Sequence, residues 1–298
     1  MTMDWIHFEL PKDGFKAHFR KGSRKPGKAV LLVGGAGCGE EVCIKMGAEI
    51  AERGYSVMVL GFYLWDGLPQ ELMHIPTDFA EKACKWLNAN GYEEICMMGT
   101  STGAGYVLLC ASFFPQITKV IAVVPFDHVM EAMKGMIKPL GFSVYEHHGK
   151  TLPYTSFSIV EDGLWNGLRK LWKMPEYGFK YFMRAAYETA RLNPESRIRV
   201  ENIGGDILFL HPFWDDMWPS DIAVTRMMKI LKESGFAHEA REIVYENASH
   251  VIGIMPKGDK QMMKMLKWSC PNERKYPKDC ERAREKSTRD IFDALSEW

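Results

Sequence analysis

Six short apolar runs, each about the length of one strand, recur along the chain and constrain its fold more than any other feature. They are Ala29–Val33, Ser56–Leu60, Ile95–Met98, Val120–Val124, Ile207–Leu210 and Glu242–Tyr245. Apolar runs without polar alternation suit strands covered on both faces, as in a parallel sheet. Helical patterns lie between them. Cys43, Met46 and Ile50 share one face. Phe79, Ala83, Trp86 and Leu87 share another, with Thr77 placed as its N-cap. Ala104, Leu108 and Ala111 form a third face, and Ala223, Met227, Ile230 and Leu231 a fourth. Strand–helix alternation predicts an α/β fold built on a doubly wound, mostly parallel sheet. Ahead of it, residues 5–9 and 15–20 flank Pro11–Gly14 as a hairpin on a sheet edge.

One stretch breaks the rhythm. About 80 residues separate Val124 from Ile207, too many for a connection in a compact domain. They predict an inserted cap, at about residues 127–203, over the C-terminal edge of the sheet within a single domain, residues 1–298. This stretch carries Met130-x-x-Met133-x-x-Met136 and the aromatics Trp165, Trp172, Tyr177, Phe179, Tyr181 and Phe182. It suits either enclosure of an apolar chain or a small core of its own. Near the end of the chain, charged residues from Pro271 to Glu285 read as a surface excursion before a last helix over Lys286–Trp298.

Charge excludes some partners. The 38 basic and 38 acidic residues cancel, so no global attraction to nucleic acid or anionic membrane is expected. The basic stretch Lys21–Lys28 reads as a solvated turn. The opening MTMDWIHFEL lacks the pattern of a signal peptide, and no apolar stretch is long enough to span a bilayer. The seven cysteines contain no C-x-x-C and are scattered, which predicts reduced thiols in a cytoplasmic protein, with no metal and no cofactor.

The chemistry enters with Gly99-Thr100-Ser101-Thr102-Gly103. A strand precedes this G-x-S-x-G and a helix of small residues follows it. In that context the pattern is a nucleophile elbow, in which the turn is so sharp that both glycine positions must be small. A serine hydroxyl needs a base, and an acid and a histidine must follow it in that order. Asp215 and Asp216 lie just past Ile207–Leu210, and His250 lies just past Glu242–Tyr245. His250 is preferred by position to the competing His147, His148 and His211. Two backbone N–H groups must hold the oxyanion. Thr102 is expected to supply one, and Gly35 or Ala36, in the loop Gly34–Gly39, the other. Cys38, in the same loop, is read as lining.

At these residues the chain resembles the C-terminal catalytic domain shared by acyl-CoA thioesterases and bile acid-CoA:amino acid N-acyltransferase. The likeness is carried by the segment Gly61–Pro76, by GTSTGAG, by GKTLPYTSF from Gly149, by ENIGGDILFL with DDMWPSD, and by ASHVIG. It runs from about residue 30 to 255. It implies an α/β-hydrolase fold. Its D-x-x-W-P pattern falls on Asp215, Trp218 and Pro219, which favours Asp215 over Asp216 as the acid. Members of this group often carry an N-terminal β-sandwich domain. Only about 30 residues precede the first central strand here, so that domain is expected to be absent. The acyltransferase uses a cysteine nucleophile; Ser101 favours hydrolysis.

The expectation is thus a serine hydrolase cleaving an acyl thioester or ester, a small-molecule substrate, through an acyl-enzyme. The alternatives are a carboxylesterase acting on a non-CoA metabolite and a non-catalytic, hydrolase-like binding protein.

Overall fold

The computed structural model describes residues 5–134, 138–156, 182–188, 190–255 and 269–298. Each of the six apolar runs forms a strand, only Val124 falling just past the end of its own: β3 (Lys28–Val33), β4 (Ser56–Gly61), β6 (Glu94–Thr100), β7 (Ile117–Val123), β12 (Asp206–Pro212) and β13 (Ala240–Tyr245). With the antiparallel β1 (Ile6–Phe8) and β2 (Lys16–Arg20) they form an eight-stranded sheet of order β1-β2-β4-β3-β6-β7-β12-β13. The six strands of the runs are mutually parallel. A short helix, α1 (Leu10–Asp13), joins the two edge strands of the predicted hairpin.

Burial explains which strands sit where. Val30, Leu31 and Leu32 of β3 and Val57–Leu60 of β4 are almost wholly inaccessible, as strands covered on both faces must be. β13 differs from expectation. It is the outer strand, with exposed Arg241 and Glu242 and with Val244 42% exposed. Charged Arg241 and Glu242 on this strand discourage pairing of its open edge with another strand.

The crossovers are α2 (Glu40–Glu52) between β3 and β4, α3 (Asp78–Ala89) between β4 and β6, α4 (Thr102–Phe113) between β6 and β7, and α6 (Ser220–Glu233) between β12 and β13. The chain winds outward from β3 to β4, then reverses past β3 to β6. Right-handed crossovers in the two directions place α2 on one face and α3, α4 and α6 on the other. The reversal makes the carboxyl ends of β3 and β6 a topological switch point, where open α/β sheets place their ligand crevice. Gly34–Gly39 follows β3 and Ser101 follows β6.

Thr77 occupies the N-cap position of α3, but its side chain makes no cap bond. Its Oγ1 lies 2.8 Å from His147 Nδ1 instead. Between β7 and β12 the described chain forms β8 (Glu131–Lys134) and β9 (Lys138–Ser143) as an antiparallel pair. It also forms β10 (Tyr145–His147) and β11 (Lys150–Thr151), and the helix α5 (Phe182–Glu188). β10 pairs in parallel with β5 (Ile75–Pro76). Trp165, Trp172, Tyr177, Phe179 and Tyr181 lie outside the described residues.

The end of the chain overturns one expectation. Residues Pro271–Glu285 are not a surface excursion: they form α7 (Pro271–Lys275) and the first half of α8 (Pro277–Glu297). Cys280, Ala283, Ser287, Ile291, Ala294 and Leu295 make a narrow buried stripe along α8. The stripe was hidden because its first half contains only small residues between charges. Glu273 is buried as well, its charge met by Arg284 and by the Ser249 hydroxyl.

The elbow glycines are required by contact. A Cβ on Gly103 would lie 2.1 Å from the Gly34 carbonyl oxygen, and one on Gly99 would lie 2.4 Å from the Gly103 carbonyl oxygen. Gly103→Ala must push α4 off the β3 loop. We expect a loss of about 1–3 kcal/mol, as for other overpacked sites, read as a lower midpoint in urea unfolding with an unchanged slope.

Candidate active site

Ser101 sits at the join of β6 and α4 with φ 55° and ψ −124°. An L-residue rarely holds a positive φ, and here the surroundings impose it. The Ser101 N–H donates to Val123 O at 2.9 Å, and the Ser101 carbonyl accepts from Ala104 and Gly105. The hydroxyl is thereby lifted out of the sheet at the N-terminus of α4, where N–H groups lack helical partners and negative charge is favoured. Val124 is a second strained residue, with φ 48°. Its carbonyl accepts the Trp218 indole N–H at 2.9 Å. Two such residues on adjacent strand ends make this edge a place where the fold stores strain.

The structure brings Ser101, His250 and Asp215 together. His250 Nε2 lies 2.9 Å from Ser101 Oγ. His250 Nδ1 lies 2.9 and 2.8 Å from the two carboxylate oxygens of Asp215. Asp215 is fully buried, yet its lone pairs are met. Met217 N–H donates to Oδ1 at 2.9 Å and the Ser220 hydroxyl to Oδ2 at 2.5 Å. Burial pushes this carboxyl up, but His250, Ser220 and Met217 outweigh it and hold it below the usual range. Trp218 meets the His250 ring edge-on, with centroids 5.4 Å apart. A histidine so held can take a proton from the hydroxyl while the carboxylate balances its charge.

The neighbouring Asp216 does not touch the imidazole. Its oxygens accept the His250 backbone N–H and the Asn272 backbone N–H, each at 2.8 Å. Asp216 thus ties the histidine loop to α7. Burial, and then the adjacent Asp215 charge, push its carboxyl up to about 6. The competing histidines are engaged elsewhere: His211 Nε2 lies 2.7 Å from Glu242, and His148 pairs with Asp78.

Of the expected oxyanion donors, Thr102 opens α4 and faces the cleft with Ser101, as does Ala36. The loop before α2 is fixed by two bonds. Cys38 N–H donates to Gly35 O at 3.1 Å, and the Tyr63 hydroxyl donates to Ala36 O at 2.7 Å. The Gly35 carbonyl and the Ala36 N–H share one planar peptide and point in opposite senses, so the first bond turns the Ala36 N–H away from Cys38. Gly35 packs against the elbow: its Cβ would meet Thr100 O at 3.2 Å and Ser101 Cβ at 3.4 Å. Cys38 does not line the cleft, contrary to expectation. It lies behind the loop with Cys43, whose hydrogen bond pulls its thiol down to about 7.

The cleft beside Ser101 holds about 440 Å³ and is walled mainly by apolar groups, among them Leu64, Leu72, Phe126, Met130, Val144 and Met217. Volume and lining are those of a small-molecule site. Sequence reading missed Ser220, the anchoring role of Asp216, and Arg184. Arg184, in α5, donates to Asp215 O at 2.7 Å and to both oxygens of Asp221, so it braces the acid loop. Only Ser220 and Asp221 carried a signal, in DDMWPSD; Arg184 lies 31 residues from Asp215. All seven cysteines are free thiols. Among the described residues, Asp78, Glu81 and His148 cluster within 4.8 Å, but at the partly exposed start of α3, and nothing there points to an ion.

Residues 75–268 match the family described as BAAT / Acyl-CoA thioester hydrolase C terminal, about two thirds of the chain. The chain belongs to this family. Within its wider group, the chain is 25% identical to Acyl-coenzyme A thioesterase 1 of Mus musculus over 206 residues. That alignment covers 68% of this chain and 44% of the relative. It is 23% identical to Acyl-coenzyme A amino acid N-acyltransferase 2 of Rattus norvegicus over 212 residues, with the same coverage. The chain thus spans less than half the length of these curated relatives. Among solved structures it resembles a puromycin-hydrolyzing peptidase of Mycobacterium tuberculosis, with a TM-score of 0.53 at 12% identity. That match covers 89% of this chain and 38% of the other, and it supports an α/β-hydrolase fold for this family member. No described helix is long and apolar enough to cross a membrane.

The two aspartates of this BAAT / acyl-CoA thioester hydrolase domain respond oppositely to pH. Asp216 binds its proton more tightly folded than unfolded. Its contribution to stability is therefore full below about pH 4 and is lost as pH rises through about 6. Asp216→Asn cannot ionise and sacrifices one N–H acceptor. We expect its deficit against wild type to shrink by roughly 1–3 kcal/mol between pH 4 and pH 7, measured by urea unfolding.

Proposed function

We propose that this protein is a serine hydrolase that cleaves an acyl thioester or ester through an acyl-enzyme. One observation carries the reading above the rest: the continuous chain of contacts from Asp215 through His250 to Ser101, ending on a positive-φ serine at a helix N-terminus. In this reading Ser101 Oγ attacks the substrate carbonyl as His250 Nε2 takes its proton. The proton passes to the leaving thiolate or alkoxide. His250 then deprotonates a water, which attacks the acyl-enzyme and releases the acid and Ser101. Asp215 keeps the imidazole oriented and balances its charge. The N–H groups of Thr102 and Ala36 hold the oxyanion, and the fixed Gly35–Ala36 peptide supports Ala36 over Gly35.

Membership of the family favours acyl-CoA as substrate. The elements between β7 and β12 serve as the cap of one hydrolase domain, with their apolar side chains receiving the acyl chain. Free thiols suit a reducing compartment such as the cytoplasm. A second reading, a carboxylesterase acting on a non-CoA metabolite, is favoured by the charge of the cleft. Among the described lining residues Glu71 and Glu131 are acidic and none is lysine or arginine, a poor match for a polyanionic thiol carrier.

The deciding experiment compares wild type with Ser101→Ala on matched acyl-CoAs and p-nitrophenyl esters. Ser101→Ala is expected to lose at least ~10³-fold in kcat on every substrate that wild type cleaves. A preference of wild type for acyl-CoAs in kcat/KM supports the thioesterase reading, and cleavage of esters alone supports the second. Equal rates for variant and wild type reduce Ser101 to a turn residue. A serine-reactive phosphonate that fails to label Ser101 favours a non-catalytic binding protein.

A further inference from the structure

The apolar cleft has one polar feature that the proposed chemistry does not use. His128, four residues beyond the strained Val124, lines the same cavity as Ser101 and is only 8% exposed. Several other polar side chains of the wall are occupied. Tyr63, Gln70, Tyr145 and Trp218 donate to backbone carbonyls. Glu71 pairs with Lys134, and Glu131 accepts the Gly141 N–H. The His128 Nδ1 is sealed from solvent against Asp127, and among the described residues no hydrogen bond reaches its Nε2. When an apolar chain displaces water from this cleft, an Nε2 without a protein partner is better met by a ligand group than left bare.

The surroundings determine which kind of group fits. Nδ1 lies 3.0 Å from Asp127 Oδ1, close enough for attraction although the alignment is too poor for a hydrogen bond. Asp127 is itself immobilised: Arg226 grips its two oxygens at 2.6 and 2.7 Å. A fixed carboxylate beside Nδ1 favours the tautomer with its proton there. Nε2 is then an acceptor on the edge of the ring open to the cavity. An acceptor selects a donor hydrogen, such as a hydroxyl or an amide N–H. A carboxylate would face a lone pair, with Glu131 also on the cavity wall.

We infer that His128 is a specificity-determining residue and that the natural acyl group carries a hydroxyl or amide N–H, which donates to His128 Nε2 from within the otherwise apolar cleft. This deepens the hydrolase reading and rests on it. Recognition of this kind discriminates strongly, because a substrate lacking the group leaves the buried histidine unmet.

The test uses p-nitrophenyl esters of matched length: plain alkanoyl, hydroxyalkanoyl with the hydroxyl at successive positions, and ω-carboxyalkanoyl. Wild type, His128→Leu and His128→Gln are compared by the ratio of kcat/KM for each polar ester to that of its plain counterpart. For one hydroxyl position the wild-type ratio is expected to reach at least tenfold. It should fall to near one in His128→Leu and be partly kept in His128→Gln, whose amide oxygen can accept. A wild-type ratio near one at every position overturns the inference. So does a preference for the carboxylate, or a hydroxyl preference that survives in His128→Leu. Should one variant fail to fold, the wild-type ratio and the other variant still decide. Turnover without hydroxyl preference defeats this inference alone, whereas no turnover and no phosphonate labelling of Ser101 defeats the hydrolase reading beneath it.

Discussion

The backbone at Ser101 can exist only because a helix and a loop meet with no side chain between them. Gly103 of α4 lies against the Gly34 carbonyl, and Gly99 lies beneath Gly103. Without that contact the chain could not leave β6 and enter α4 in one residue. Everything at the edge of the sheet depends on it. The turn exposes the Ser101 hydroxyl, aims the first N–H of α4 beside it, and brings the β3 loop close enough for Ala36 to share the cleft. Both partners come from the ends of the two strands that flank the reversal of winding, so the topology and the local strain define the same place.

Charge is managed at this edge by unequal treatment of like groups. Asp215 and Asp216 are adjacent, and both are buried. Asp215 faces an imidazole, a hydroxyl and a backbone N–H, and stays ionised. Asp216 has two backbone donors but also the Asp215 charge, and holds its proton more readily. One carboxylate orients the His250 ring and the other orients its backbone. This is how two equal side chains acquire separate roles.

Much of this was legible in the sequence because it depended on local pattern. The buried strands announced themselves as unbroken apolar runs, and the elbow as two glycines around a serine between a strand and a helix. Asp215 and His250 were legible by order and by position after strands. The hidden features depended on contacts between distant segments. Arg184 could not be linked to the acid loop by any spacing. The buried half of α8 looked soluble because its stripe is made of Cys280 and Ala283 among charges. The role of Cys38 was misjudged because sequence places it in the right loop without saying which way it turns. Thr77 held the cap position but gave its hydroxyl to His147, a partner 70 residues away. The polar end of the cleft was equally invisible, since His128 gains its meaning from Asp127, Arg226 and the walls around it.

The loop that bears His250 owes its position to the two C-terminal helices, α7 and α8. Asp216 fastens it to Asn272, the Asn272 amide donates to Ala248 O, Glu273 accepts the Ser249 hydroxyl, and Ser287 and Thr288 hold Gly253. These helical anchors lie between residues 272 and 288, after the last strand of the sheet. On the ribosome, where domains generally assemble from the N-terminal side, the sheet and the serine elbow can therefore form while the histidine loop still lacks its moorings. A chain under synthesis can thus pass through a stage in which the sheet and the Ser101 turn are in place, but His250 has not yet been given its address.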